Sequence, residues 1–361
     1  MSESAFTRRR LLISAGAGLT LLATGCASDS DDAGSGDGSS PTVRLGWFPA
    51  FHTVSAFIAD KAGLFTEQKV SVEMVSGDSG ATLNNLLSAG QVDLTYAALE
   101  VVANAQAQGR DLIQVAPLVS RFTLNTVVRN GKLQEIGLGP DAPIQDRLNA
   151  FARMKIGYTA PNAPTDRYAR YFMGLGGVDP ETEGTLVSVG SAANLQAALK
   201  TGQIDAYMLT PPGPDVPVLQ GYGTIFIRGT AGDVPSLADV PDTGLGVRKS
   251  WVEKEANAEA LIGVLSALIK GNRLLHDDPT TAAGHVKPFF PDMAPEVMQV
   301  AIKEITPAVP TTPELSEQTV KHALDVLFEA KLVDLKERPS SQEGGLWTAE
   351  YLNEAKRRVG A

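Results

Sequence analysis

The residues best suited to chemistry stand just beyond the ends of expected strands. Trp47, Phe48 and His52 follow the first such strand, Ser79, Gly80 and Thr82 follow the second, and Tyr96 closes the third. In the second half of the chain Tyr158, Thr159, Asn162 and Thr165 follow another strand, and Thr210 ends the next. The flat faces of Trp47 and Tyr96 suit an unsaturated ring, a contact worth about 0.5–1.5 kcal/mol beyond area burial. His52 is able to donate to a ring nitrogen or an oxo group. A histidine at a helix start also fits a cap or a satisfied surface group, and either aromatic fits core or rim packing.

Nothing in the chain adds reactive chemistry to that recognition set. There is no Gly-x-Ser-x-Gly elbow, no Gly-x-x-x-x-Gly-Lys-Ser/Thr loop, no Gly-x-Gly-x-x-Gly after a strand and no His-Glu-x-x-His. His52, His276, His285 and His322 have no ligand-like spacing, and Cys26, the one cysteine, cannot build a disulfide framework or a CxxC zinc site. No catalytic residue, metal or cofactor is expected; a lipid-anchored extracytoplasmic enzyme is the alternative of another class. With 31 Lys+Arg against 41 Asp+Glu the net charge is -10, which argues against nucleic acid as a partner.

The elements that must position these side chains alternate. Strands at Thr42–Gly46, Val70–Val75 and Asp93–Thr95 are interleaved with helices near His52–Lys61, Gly80–Ala89 and Leu99–Gln108. The theme returns with strands at Lys155–Tyr158, Thr185–Val189 and Asp205–Leu209 and helices at Pro164–Met173 and Ala192–Lys200. Such alternation reads as an α/β fold with parallel-rich sheets covered by helices. Sliding the chain by 112 residues lays Val75–Asp93 on Val187–Asp205 with nine identities in nineteen, both blocks ending Leu-x-x-Gly-Gln-Val/Ile-Asp. A repeated strand–turn–helix–strand block implies two similar lobes, and parallel sheets bind ligands at the carboxyl ends of their strands. A chain of 361 residues exceeds what a single core supports, which agrees with two lobes. The first lobe is expected from 42–120 with 245–361, the second from 121–244, with Val115–Val128 crossing out and Gly244–Val247 returning. The helices after Trp251 read as packing added to the first lobe.

The N-terminus reads as an address. Arg8, Arg9 and Arg10 precede an apolar run, Leu11–Leu22, that ends at Ala23-Thr24-Gly25-Cys26. The arginine pair resembles a twin-arginine export signal, and small residues before a cysteine resemble a lipobox. Residues 1–25 are thus expected to be removed, Cys26 acylated, and 26–41 to form a flexible polar linker. The protein is then expected at the cell membrane, lipid-anchored on the extracytoplasmic face, as a monomer.

Charges near helix starts bear on the ligand. Asp78, Glu100 and Asp166 stand where an anion clamp would want bare helix N-termini, which points to a neutral or cationic ligand. Arg121 and Arg167 are the cations able to reverse that reading. Asp93 and Asp205, at the far ends of their strands, read as structural.

Several spaced motifs resemble the extracytoplasmic substrate-binding proteins of ABC importers, within the cluster that binds thiamine pyrimidine precursors, sulfonates, taurine or nitrate. They are Leu45-Gly46-Trp47-Phe48-Pro49 with His52, Ala59-x-x-x-Gly63-Leu64-Phe65, Leu87-x-x-Gly90-x-Val92-Asp93 and Leu199-x-x-Gly202-x-Ile204-Asp205-Ala206, and the likeness extends over about Val43 to Ala283. The resemblance implies a two-lobed periplasmic-binding-protein fold (type II) with a ligand cleft between the lobes. It implies a small-molecule solute, most like a thiamine pyrimidine precursor or related heterocycle, with sulfonate, taurine or nitrate as the alternative. It also implies an ABC permease and its ATPase as partners. A receptor in place of a permease fits the same residues.

Overall fold

The computed structural model describes residues 41–77, 80–333 and 335–361. The expected signal peptide, Cys26 and the linker up to residue 40 lie outside these, as do Asp78 and Ser79.

Ten strands are present among the described residues: β1 Val43–Trp47, β2 Val72–Ser76, β3 Leu94–Ala97, β4 Leu112–Val119, β5 Asn125–Arg129, β6 Lys155–Tyr158, β7 Thr185–Ser188, β8 Ala206–Leu209, β9 Gly223–Arg228 and β10 Thr243–Arg248. They form two five-stranded sheets of matching layout, β2-β1-β3-β10-β4 and β7-β6-β8-β5-β9. In each, three parallel strands meet one antiparallel strand, β10 in the first sheet and β5 in the second. The apolar stretch read as one crossing segment is divided: β4 completes the first sheet, residues 120–124 cross, and β5 begins pairing in the second. The return passes through residues 229–242 and ends in β10.

The half-copy is visible in the backbone. Gly90 and Gly202 stop their helices with φ of 74° and 73°, a left-handed turn that suits glycine. The amides of the next residues, Gln91 and Gln203, donate to the carbonyls of Leu86 and Ala198. Asp93 then accepts the β1 amide of Arg44 at 2.9 Å, as Asp205 accepts the β6 amide of Lys155 at 3.0 Å. Leu83 and Leu87 in one block, and Leu195 and Leu199 in the other, are fully buried beneath their sheets.

The later helices pack as expected for apolar stripes, with one exception of consequence. The long helix Glu255–Asp277 lies on helix Val54–Lys61 and on Glu350–Val359. The helix Glu317–Glu329, by contrast, reaches the return crossing and helix Pro164–Leu175 beside the second sheet. His322 bonds through Nε2 to the Ser236 carbonyl at 3.1 Å, and just past the helix Lys331 accepts a hydrogen bond from Arg167.

Gly271 sets how closely the long helix approaches the helix behind the His52 turn. A Cβ there would stand 2.8 Å from the Ser55 carbonyl oxygen, which is backbone and cannot rotate away. Gly271→Ala is expected to lower stability by about 1–3 kcal/mol through overpacking; urea unfolding of the purified variant measures it.

Candidate functional site

The carboxyl ends of β1, β2 and β3 meet those of β6 and β8 around a cavity of about 520 Å³. Phe48 and His52 come from the loop and 3₁₀ turn after β1, Gly80 and Asn84 from the helix Gly80–Ser88, and Tyr96 from β3. Glu100 sits in the first turn of helix Leu99–Ala107. The two crossings contribute Phe122 and Thr123 on the way out and Asp242 and Thr243 on the way back. From the second sheet come Asn162, Pro164, Arg167, Tyr168 and Thr210, and Ala323 and Leu327 of helix Glu317–Glu329 close one wall.

The wall is largely aromatic. Phe48 meets His52 edge-on with centroids 5.0 Å apart, His52 lies 6.1 Å from Tyr96, and Phe122 and Tyr168 are tilted together at 4.4 Å. Burial pulls His52 down to about 4, so its imidazole is neutral at pH 7, and burial raises the Tyr96 phenol, whose hydroxyl donates to the Thr53 carbonyl at 3.3 Å. Glu100 is pushed up to about 7, first by burial and then by the nearby negative charge of Asp242. Asp242 is pushed up to about 6 by burial, against hydrogen bonds from Thr123, at 2.7 Å, and Thr243. Tyr168 is raised by burial and by both carboxylates.

Of the residues singled out from sequence, Phe48, His52, Gly80, Tyr96, Asn162 and Thr210 line this cavity. Trp47 does not. Its ring is clamped edge-on between Phe57 at 5.2 Å and Phe289 at 5.1 Å, within a separate apolar cluster. Successive side chains of an extended segment point to opposite faces, so Trp47 and Phe48 divide core and cavity between them. Tyr158, at the matching end of β6, is nine-tenths buried away from the cavity. Thr159 and Thr165 are bound to each other, Oγ1 to Oγ1 at 2.8 Å and the Thr159 amide to Thr165 Oγ1 at 3.0 Å, which shapes the turn before helix Pro164–Leu175. Thr82 is exposed on its helix, off the cavity. Arg121 points elsewhere, its Nη1 3.5 Å from the Ala231 carbonyl. Ser79 lies outside the described residues.

The acids weighed as helix-end charges also separate. Asp166 turns back to accept the Asn162 amide at 2.8 Å and to pair with Arg170 at 2.8 Å, off the cavity, whereas Glu100 is on its wall. Arg167 reaches the wall with its guanidinium engaged by the carbonyls of Asn162, at 3.0 Å, and Lys331. Phe122, Tyr168 and Asp242 were not singled out. Phe122 lay within the recognised crossing segment, but nothing local marked Tyr168 or Asp242.

Solved structures share this arrangement of two sheets. The periplasmic aliphatic sulphonate binding protein SsuA from Escherichia coli superimposes with a TM-score of 0.64 at 17% identity, covering 82% of this chain and 94% of that one. The periplasmic nitrate-binding protein NrtA from Synechocystis PCC 6803 gives 0.61 at 17% identity, covering 88% and 89%. The chain therefore has the two-lobed α/β fold of the periplasmic binding proteins. Residues 36–287 match the NMT1-like family, and the protein belongs to it. Among its relatives, the bicarbonate-binding protein CmpA of Synechococcus elongatus is 27% identical over 252 residues, 65% of this chain and 55% of that protein. The nitrate/nitrite binding protein NrtA of Synechocystis is 23% identical over 244 residues, 64% of this chain and 53% of that one. The chain thus spans about half the length of the curated relatives it matches.

The raised pKa of Glu100 makes stability depend on pH. A carboxyl at about 7 when folded and near 4.5 when unfolded holds its proton more tightly in the native state, so stability falls as pH rises through that window. His52, shifted the other way to about 4, offsets this only below its ordinary value of 6.5. Asp242, at about 6, and Asp215, at about 7, are shifted the same way, so ligand-free protein is expected to lose stability as pH rises to about 7.5. Glu100→Gln should lessen that slope and raise stability at pH 8 by roughly 1–3 kcal/mol, read from unfolding curves at stepped pH.

Proposed function

We propose that this protein is the extracytoplasmic solute-binding component of an ABC importer, and that its cavity takes a small organic solute with an unsaturated ring, such as a pyrimidine precursor of thiamine. The observation that carries the ring is the wall of Phe48, His52, Tyr96, Phe122 and Tyr168 around about 520 Å³, a volume suited to one small ligand. Because both sheets contribute, a bound solute favours whichever relative placement of the lobes lets it touch both walls, by the difference in its affinity for the two placements. Import is supported by the relatives, whose names are those of bicarbonate- and nitrate-binding proteins and of the nitrate import ATP-binding protein NrtC, 29% identical over 246 residues. A permease and an ATPase are the partners on this reading, and the protein acts by capture and delivery, not catalysis. Export through Arg8 and Arg9 and acylation of Cys26 hold it at the membrane.

A second reading, nitrate, bicarbonate or a sulfonate as solute, is favoured by those same names. Arg167, the one arginine on the cavity wall, is the counter-charge such an anion would use, with its Nε and Nη1 already donating to carbonyl oxygens.

Thermal unfolding of the purified protein with pyrimidines, thiamine, nitrate, bicarbonate and alkanesulfonates separates the two. A pyrimidine at about 100 times its dissociation constant should stabilise by ~2.7 kcal/mol, and Phe48→Ala should weaken it by about 0.5–1.5 kcal/mol. A rise with the anions alone supports the second reading. Cys26→Ser should move the protein from the membrane to the soluble fraction, as fractionation and immunoblotting would show.

A further inference from the structure

Four largely buried acids elsewhere in the chain are matched by arginine, while Asp215, 1% exposed, makes no ion pair among the described residues. Asp93 pairs with Arg44 at 2.7 Å, Asp205 with Arg129 at 3.0 Å, Asp166 with Arg170 at 2.8 Å and Asp233 with Arg147 at 2.6 Å. Glu100 and Asp242, both on the cavity wall, are likewise without an arginine partner. Among the described residues neither pairs with a lysine or arginine, and the Arg167 guanidinium on the same wall is engaged by the carbonyls of Asn162 and Lys331. Burying a charge without a partner is costly, and the group compensates by keeping its proton or by taking a counter-charge.

A separate observation points the same way. Tyr168 lines the cavity at 9% exposure, and its phenol makes no hydrogen bond to any described residue. Glu100, Asp242 and the Tyr168 phenol thus lie on one cavity together with Phe48 and Phe122.

We infer that the cavity is built for a planar cation whose N–H groups face Glu100 and Asp242 and whose flat body lies against the aromatic wall: an amidinium, a guanidinium or a protonated aminopyrimidine. This rests on the reading of the protein as a binder of ring-bearing organic solutes and narrows it to the charged members. A carboxylate accepts the paired N–H groups of an amidinium side by side, which orients the ligand plane as well as neutralising it. The aromatic faces add attraction for the same cation. The Tyr168 hydroxyl remains to read a substituent on the ring.

Benzamidine, benzamide and benzoate test this, being ring compounds of one size and three charges. Titration calorimetry on the full-length protein is expected to show benzamidine binding at least tenfold more tightly than benzamide, and benzoate not binding. Glu100→Gln and Asp242→Asn should each weaken benzamidine at least tenfold while leaving benzamide within twofold, and retained benzamide binding shows that the variant is folded. The benzamidine preference of the unaltered protein is itself a test if a variant fails to fold. Equal or tighter binding of benzamide or benzoate overturns the cation inference and leaves the ring reading standing. Absence of binding by all three overturns both.

Discussion

One carboxylate in each sheet sets the level at which the parallel strands begin. Asp93 takes the β1 amide of Arg44 and the Arg44 guanidinium, and Asp205 takes the β6 amide of Lys155 and the Arg129 guanidinium. Fixing the starts of strands four or five residues long also fixes where they stop, and the loops after those stops carry the cavity wall. In the first sheet Arg248 of β10 also approaches Asp93, at 3.7 Å, so the returning chain is joined to the same point. The charge-assisted bonds are partly buried and few, and the position of Phe48, Tyr96 and Thr210 depends on them.

Much of this architecture was legible in the residues. The alternation of strand and helix, the glycine stops at Gly90 and Gly202 and the duplicated block define both parallel sheets, because each is a local pattern of apolar spacing and turn chemistry. The family resemblance is likewise borne by local motifs. Less legible was which way a side chain would point once its strand was placed. Trp47 and Phe48 are adjacent and both aromatic, and only the burial of one against Phe57 and Phe289 decides that the other faces the cavity. Least legible was what distant segments bring together. Asp242 meets Thr123 across 119 residues, and Leu327 reaches the wall from a helix whose apolar stripe reads as plain core packing.

The relatives and the cavity pull in different directions over charge. Proteins named for bicarbonate and nitrate are 27% and 23% identical over 65% and 64% of this chain, while this cavity presents two carboxylates and one arginine. A shared scaffold transmits the position of a site more faithfully than its specificity, since the loops that carry recognition change without disturbing the sheets beneath them. Glu100 and Asp242 are half-buried on that wall, and the limited access of water to them raises both carboxyls.

The helix Glu317–Glu329 gives the molecule a third attachment between its halves, beyond the two chain crossings. Its His322 holds the Ser236 carbonyl, the segment after it holds Arg167, and its Leu327 lies on the cavity wall. Any separation of the sheets must either break these contacts or carry the helix along. On the proposed reading, the time a solute spends inside is governed partly by contacts such as that of His322 with Ser236, away from the wall, and a substitution there changes the dwell time of a ligand without changing which ligand is chosen.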